Sequence, residues 1–280
     1  LPECYYIGEV KGNWDCDQVT IEGDIFIPEG DTLNIQPGTK VFFSKNYKFE
    51  VFGVLNAIGT ETDTITFTGD EWIGWGGVKF LNQDSTDVEQ STIKYCKFEY
   101  GNVSNNPDGL NKGGAISIVA SSKITIEDCL FTNCTAYLGG AIYSSKSSPT
   151  IKYNRFESNR ATGAGGALYL VNYNETLHRL EFVNNYANNG GAIFLSNSSP
   201  QMTNILAYDN KSLYSAAFAF LFNSSPYIHN LTSVKNISNN NSGGSFSLMY
   251  DSNPVLINSI LNNNSTVDIF INDGLMTAKY

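Results

Sequence analysis

Gly190-Gly191-Ala192-Ile193-Phe194-Leu195-Ser196-Asn197-Ser198-Ser199-Pro200 carries two of the three marks of a unit that recurs through the chain. The Gly-Gly-Ala-apolar tetrad is found again as Gly113-Gly114-Ala115-Ile116, Gly139-Gly140-Ala141-Ile142 and Gly165-Gly166-Ala167-Leu168. Weakened copies stand at Ser215-Ala216-Ala217-Phe218 and Gly243-Gly244-Ser245-Phe246, so that successive starts lie 26, 26, 25, 25 and 28 residues apart. Downstream comes a turn, as in Ser147-Ser148-Pro149, Ser224-Ser225-Pro226 and Ser252-Asn253-Pro254. The third mark lies upstream, in Phe156-Glu157-Ser158-Asn159 and Phe182-Val183-Asn184-Asn185, weakened to Phe131-Thr132-Asn133-Cys134 in the preceding copy. One period thus holds three short strands and three turns, and a unit of this size buries its apolar face only by stacking on its neighbours. The pattern predicts an all-β fold, a single-stranded right-handed parallel β-helix. About ten coils at about 4.8 Å per rung would make a rod about 50 Å long, with its hand set by the preference for right-handed parallel crossovers.

Period-2 alternation assigns the faces. Ile116, Ile142, Leu168, Ile193, Phe218 and Phe246 are expected to stack inward, with Ser117, Tyr143, Tyr169, Phe194, Ala219 and Ser247 facing outward. After the Ser-Pro turn, Ile151, Met202, Ile228 and Leu256 are expected in the core. Two residues further on, Asn204, Asn230 and Asn258 would form an internal amide ladder. The N-terminal part lacks the tetrad but keeps short β runs such as Val19-Thr20-Ile21, Leu33-Asn34-Ile35 and Val41-Phe42-Phe43. One domain over 1–280 is therefore expected, with 1–18 as an N-terminal cap, 19–112 as irregular coils and 113–265 as regular coils.

Composition agrees with this reading. The 280 residues include 33 asparagines, 25 glycines, 17 phenylalanines and 16 tyrosines, a mixture of turn formers and strand formers. Three arginines (Arg155, Arg160 and Arg179) and a net charge of −10 argue against a nucleic-acid partner, which needs a phosphate-neutralising stripe. No apolar run is long enough for a transmembrane segment. Eleven Asn-x-Ser/Thr triplets carry little weight, because a chain this rich in Asn and Ser produces them by composition.

Of the five cysteines, Cys4 and Cys16 bracket a short segment and would pair in an oxidising compartment. Cys96 and Cys129 hold matching places in Tyr95-Cys96-Lys97-Phe98 and Asp128-Cys129-Leu130-Phe131, and are expected to stack as small core residues. His178 and His229, the two histidines, adjoin no nucleophile motif. Asp84, Asp87 and Glu89 form the one acidic cluster suited to calcium, and a solvated loop is the preferred reading of it. No Asp or Glu recurs on one strand of adjacent regular coils, as a lyase or glycosidase groove would require. Neither catalysis nor a cofactor is expected.

The paired Gly-Gly-Ala-Ile and Phe-x-x-Asn elements over residues 96 to 265 resemble those of the chlamydial polymorphic outer-membrane proteins and related bacterial surface β-helix proteins. Gly30-Asp31-Thr32-Leu33-Asn34-Ile35-Gln36-Pro37-Gly38 and Trp75-Gly76-Gly77-Val78-Lys79-Phe80 resemble the opening coils of secreted β-helix proteins of Bacteroidota. The resemblance implies a secreted or cell-surface, outer-membrane-associated scaffold that works in adhesion and binds a glycan or a surface protein. A place in a longer surface protein or assembly is part of that expectation. Tyr143, Tyr169 and Phe194, expected as an exposed aromatic column, are the candidate ligand surface. A polysaccharide-binding or polysaccharide-degrading rod and a passive structural spacer are the alternative readings.

Overall fold

The computed structural model describes residues 3–81, 89–104, 111–240, 243–265 and 267–279. Among these residues every regular element is a strand, and every strand pairing is parallel and joins one coil to the next. Three ladders run the length of the rod. The tetrad ladder links Phe49–Val51, Val78–Leu81, Ile116–Val119, Ile142–Ser145, Leu168–Val171, Ile193–Ser196, Phe218–Leu221, Phe246–Leu248 and Ile269–Ile271. A second, here called the Pro ladder, follows the Ser-Pro turns and includes Ser91–Lys94, Ile124–Glu127, Thr150–Lys152 and Leu177–His178. The third, the Phe ladder, includes Cys96–Glu99, Leu130–Thr132, Arg155–Glu157 and Glu181–Val183. Glu3–Glu9 and Gly12–Trp14 pair in the same parallel sense with Gln18–Ile27 and Thr32–Ile35, so the opening residues are themselves rungs.

Inside the rod like packs on like, because each inward position repeats once per coil. Phe67, Phe98, Phe131, Phe156 and Phe182 form a stack with ring centroids 4.7, 5.0, 5.0 and 5.1 Å apart, which is the rung spacing itself. The inward tetrad residues Ile116, Ile142, Leu168, Ile193, Phe218 and Phe246 are all fully buried, and Ile151, Met202, Ile228 and Leu256 are buried beside them.

The tetrad glycines have two separate jobs. Gly139 has φ of +64°, a left-handed backbone that costs an L side chain about 1–2 kcal/mol. Gly140 instead faces the next coil, and a Cβ there would clash with the Gly166 carbonyl oxygen.

Regular coils contain one more strand than the three expected. Thr135–Leu138, Arg160–Ala164, Tyr186–Ala187, Lys211–Ser212 and Ile237–Ser238 make a separate five-stranded parallel sheet between the Phe and tetrad ladders. It arises because the chain leaves the Phe ladder through a sharp corner at Asn133, Ser158, Asn184, Asp209 and Lys235, each at φ between 53° and 56°. The other two corners are built alike. Tyr95, Asp128, Tyr153, Arg179, Asn204, Asn230 and Asn258 turn the chain from the Pro ladder to the Phe ladder, and Lys146, Asn172 and Asn197 turn it from the tetrad ladder to the Pro ladder. A left-handed residue points outward, and the residue after it drops into the rod.

Buried polar ladders satisfy the backbone at these corners. After Asn133, Ser158, Asn184, Asp209 and Lys235 come Cys134, Asn159, Asn185, Asn210 and Asn236, all buried. The Oδ1 of Asn185 accepts from the backbone N–H of Asn159 at 2.9 Å and from its Nδ2 at 3.0 Å, and Asn210 and Asn236 repeat this on the coils that follow. Serines do the same at the tetrad-to-Pro corner, where the Oγ of Ser147, Ser198, Ser224 and Ser252 each accepts a backbone N–H from the coil before. Unmet, each such buried N–H would cost about 1–3 kcal/mol.

Candidate functional site

Tyr95, Asp128, Tyr153 and Arg179 occupy one corner column on four successive coils, all left-handed, with φ of 48°, 51°, 59° and 50°. Asn and Asp tolerate this conformation; tyrosine and arginine gain nothing from it. Phe222 and Tyr250 at another corner have an evident reason to be aromatic, since their rings stack at 4.8 Å. Tyr95 and Tyr153 stand two rungs apart with Asp128 between them, so they cannot serve one another in that way.

Pairing brings a charged column alongside. Lys94, Glu127, Lys152 and His178 are register partners on the Pro ladder. On the other flank Leu130, Arg155 and Glu181 are partners on the Phe ladder. Between the corner and the Phe ladder lies an open groove of about 330 Å³, lined by Tyr95, Asp128, Tyr153, Arg155, Arg179 and Glu181 among others. Two of the three arginines of an acidic chain therefore meet in one shallow groove.

The charges are mostly matched. Lys94 Nζ lies 3.5 Å from Asp128 and 3.6 Å from Glu127, and Lys152 Nζ lies 2.9 Å from Glu127. Arg155 bonds Glu157 at 3.1 Å and Glu181 at 2.7 Å. The Glu127 hydrogen bond holds the Lys152 ammonium above its ordinary pKa. Partial burial, with Arg179 and Lys152 nearby, holds His178 below its ordinary value, and its Nδ1 lies 2.6 Å from Thr203 Oγ1. Arg179 differs from the other cations of the groove. It is exposed, its guanidinium sits 5.8 Å from the Tyr153 ring centroid, and among the described residues no carboxylate lies within ion-pair distance of it. An aromatic face beside an unmatched guanidinium can stack a sugar ring and hold an anion.

The residues singled out from sequence lie elsewhere. Tyr143, Tyr169 and Phe194 do form an outward column in register, with ring centroids 5.6 and 4.7 Å apart. They are not the exposed surface expected: Tyr143 is 6% exposed, Phe194 7%, and Tyr169 is half-buried. Leu138 and Ala164 of the short sheet pack into the same cluster as Phe194 and Tyr169, and Lys112 Nζ lies 5.0 Å from the Tyr143 ring centroid.

Asn204, Asn230 and Asn258 do form an amide ladder, with Nδ2 to Oδ1 distances of 2.9 and 2.6 Å. It is external rather than internal, because the left-handed turn at each of these residues breaks the alternation counted from Ile228 and swings the side chain outward.

Cys4 and Cys16 form a disulfide, while Cys96, Cys129 and Cys134 are free and buried. Burial pushes the Cys96 thiol well up and that of Cys134 up to about 12. Asp84 and Asp87 lie outside the described residues, and Glu89 is exposed. Among the described residues no group of three His, Cys, Asp or Glu is placed to hold a metal ion, and no helix is long and apolar enough to cross a membrane.

The corner column escaped sequence reasoning although its signal was present. Aligning the repeats on the inward phenylalanine sets Tyr95, Asp128, Tyr153 and Arg179 each three residues before Phe98, Phe131, Phe156 and Phe182. Three residue types over four coils at one position do not look like a repeat, so the column stays hidden until the turn geometry is known.

Residues 14–232 match the family described as right handed beta helix region, and the chain belongs to that family. Membership gives the solenoid its right hand. No curated protein and no solved structure matches the chain.

Proposed function

We propose that this member of the right-handed β-helix family is a secreted or cell-surface, adhesin-like binding scaffold without catalytic activity, and that the groove beside Tyr95, Tyr153 and Arg179 is its recognition surface. The observation that carries this reading is the pairing of exposed Tyr153 with unmatched Arg179 at positions whose backbone favours neither residue. The likeness of the tetrads to those of the polymorphic outer-membrane passengers supports adhesion. The Cys4–Cys16 disulfide supports an oxidising compartment. Both carboxylates in the groove are engaged, Asp128 by Lys94 and Glu181 by Arg155, which suits a fixed recognition surface better than a proton donor awaiting a leaving group.

The test is binding of the full chain to arrayed glycans, matrix proteins and cells, run for the wild type and for Tyr153→Ala with Arg179→Ala. Both side chains lie at an exposed corner, so the double variant is expected to melt within about 2 °C of wild type and to lose binding at least tenfold. Unchanged binding by a folded double variant would place recognition elsewhere on the rod. Release of reducing ends from a bound polysaccharide would replace the scaffold by an enzyme.

A further inference from the structure

We infer that the ligand of this groove is a short oligosaccharide carrying one carboxylate, with the carboxylated sugar on Arg179 and its neighbours along Tyr153 and Tyr95. The inference rests on the reading of the groove as the recognition surface and adds the chemistry of what it takes.

Three observations lead there. First, the ion pairs of Lys94, Lys152 and Arg155 already satisfy these cations, leaving Arg179 as the group in the groove that gains an anionic partner on binding. A guanidinium presents paired N–H donors that match the two oxygens of a carboxylate. Second, Tyr95 and Tyr153 are two rungs apart, about 9.6 Å at about 4.8 Å per rung, a length that spans about two pyranose rings laid end to end. Beyond Arg179 the corner continues as Asn204, Asn230 and Asn258, whose amides bond to each other and offer no ring to stack on. The aromatic segment therefore ends after four rungs, which suits a short oligosaccharide and not a long polymer.

Third, the backbone N–H groups at the Tyr95, Tyr153 and Arg179 corners are already taken within the rod. The N–H of Tyr95, Tyr153 and Arg179 donate to the carbonyls of Glu127, His178 and Thr203 on the next coil, at 3.2, 2.9 and 2.9 Å. An acidic peptide adding as a strand needs such groups open. A sugar needs ring surface and side-chain donors, and the groove presents Arg179 beside the parts of the Tyr95 and Tyr153 rings that Lys94, Lys152 and His178 leave uncovered.

Carboxylated sugars come as uronic acids and as sialic acids, and the experiment separates the two. Calorimetric titration of the full chain would use a glucuronic-acid-containing trisaccharide and sialyllactose, each beside its carboxyl-reduced counterpart. One of the two acidic probes is expected to bind at least tenfold more tightly than its reduced form, as the loss of a charge-assisted contact implies. Arg179→Gln should abolish that difference, and Arg179→Lys should restore part of it. Raising the salt concentration should weaken only the acidic probe.

Equal binding of acidic and reduced forms, still lost in Tyr153→Ala, would overturn the carboxylate and leave the groove as a neutral-sugar site. An acid preference that survives Arg179→Gln would also overturn it, by placing the anion on another cation. Failure of every probe to bind would overturn the inference, and if a protein ligand still binds in a Tyr153-dependent way the recognition surface itself stands.

Discussion

Asn204, Asn230 and Asn258 bond to one another along one corner of the rod, and Asn159, Asn185, Asn210 and Asn236 along another. Residue type, period and amide-to-amide contact are the same in both. In the first set each asparagine is itself the left-handed residue and lies at the surface; in the second each follows the left-handed residue and is buried. The buried amides also receive backbone N–H groups and donate to backbone carbonyls, as Asn210 Nδ2 does to Phe182 at 2.8 Å, whereas the exposed ones are seen to bond only each other. One step along the chain thus changes an asparagine from a turn residue to an element of the core. Asparagine frequency alone cannot distinguish the two.

The largest expected effect comes from removing one buried amide. Asn210→Ala would leave the buried N–H of Asn185 without its acceptor and take a donor from the Phe182 carbonyl, while Asn185 Nδ2 keeps the Phe156 carbonyl and Asn236 Oδ1 keeps the backbone N–H of position 210. At about 1–3 kcal/mol for each unmet buried group, with the two groups that keep one bond adding less, the loss should be about 2–4 kcal/mol. Urea denaturation of the purified variant measures it. A loss below about 1 kcal/mol would mean that water reaches the corner and that the two ladders do not differ in kind.

The second ladder was half legible in the sequence. Phe156-Glu157-Ser158-Asn159 and Phe182-Val183-Asn184-Asn185 mark it plainly, and the period from Gly113 to Gly243 fixes how coils stack. Alternation placed Ile142 inward and Tyr143 outward because both lie within one strand. It failed from Ile228 to Asn230 because Asn230 is itself left-handed, and alternation has no meaning at a corner. The cover over Tyr143, Tyr169 and Phe194 was illegible for a related reason: the strands of the short sheet, such as Tyr186–Ala187, are too brief to show any period. Tyr95, Tyr153 and Arg179 were legible only by position relative to the inward phenylalanines.

An intermediate effect is expected where a thiol takes the place of a buried amide. Cys134 stands at the head of the Asn159 column, and its N–H donates to Asn159 Oδ1 at 3.0 Å. Burial raises its pKa from 9.0 to about 12. In the unfolded chain the thiol ionises from about pH 9 upward, while the folded thiol keeps its proton. Its contribution is therefore complete below pH 9 and is lost as pH rises to about 12, by up to about 1.4 kcal/mol for each unit. Comparing the alkaline slope of stability in wild type and Cys134→Asn isolates this residue, and the slope should be shallower in the variant. An asparagine there should also join the column, so the variant should be at least as stable as wild type at pH 7.

The smallest effect tests whether the exposed ladder contributes through its amides or its backbone. At Asn230, φ is 59°, a conformation open to glycine without cost, whereas alanine would be penalised by about 1–2 kcal/mol. Water can replace the amide bonds to Asn204 and Asn258, so their net value is about 0.5–1 kcal/mol each at most. Asn230→Gly is accordingly expected to lie within about 1 kcal/mol of wild type, and Asn230→Ala to be the less stable of the two. The order should reverse in the buried column, where Asn210 does not have a left-handed backbone and glycine only adds flexibility to the loss of the amide. If glycine proves as damaging as alanine at position 230, the exposed amides hold the corner after all, and the contrast between the ladders reduces to one of solvent access.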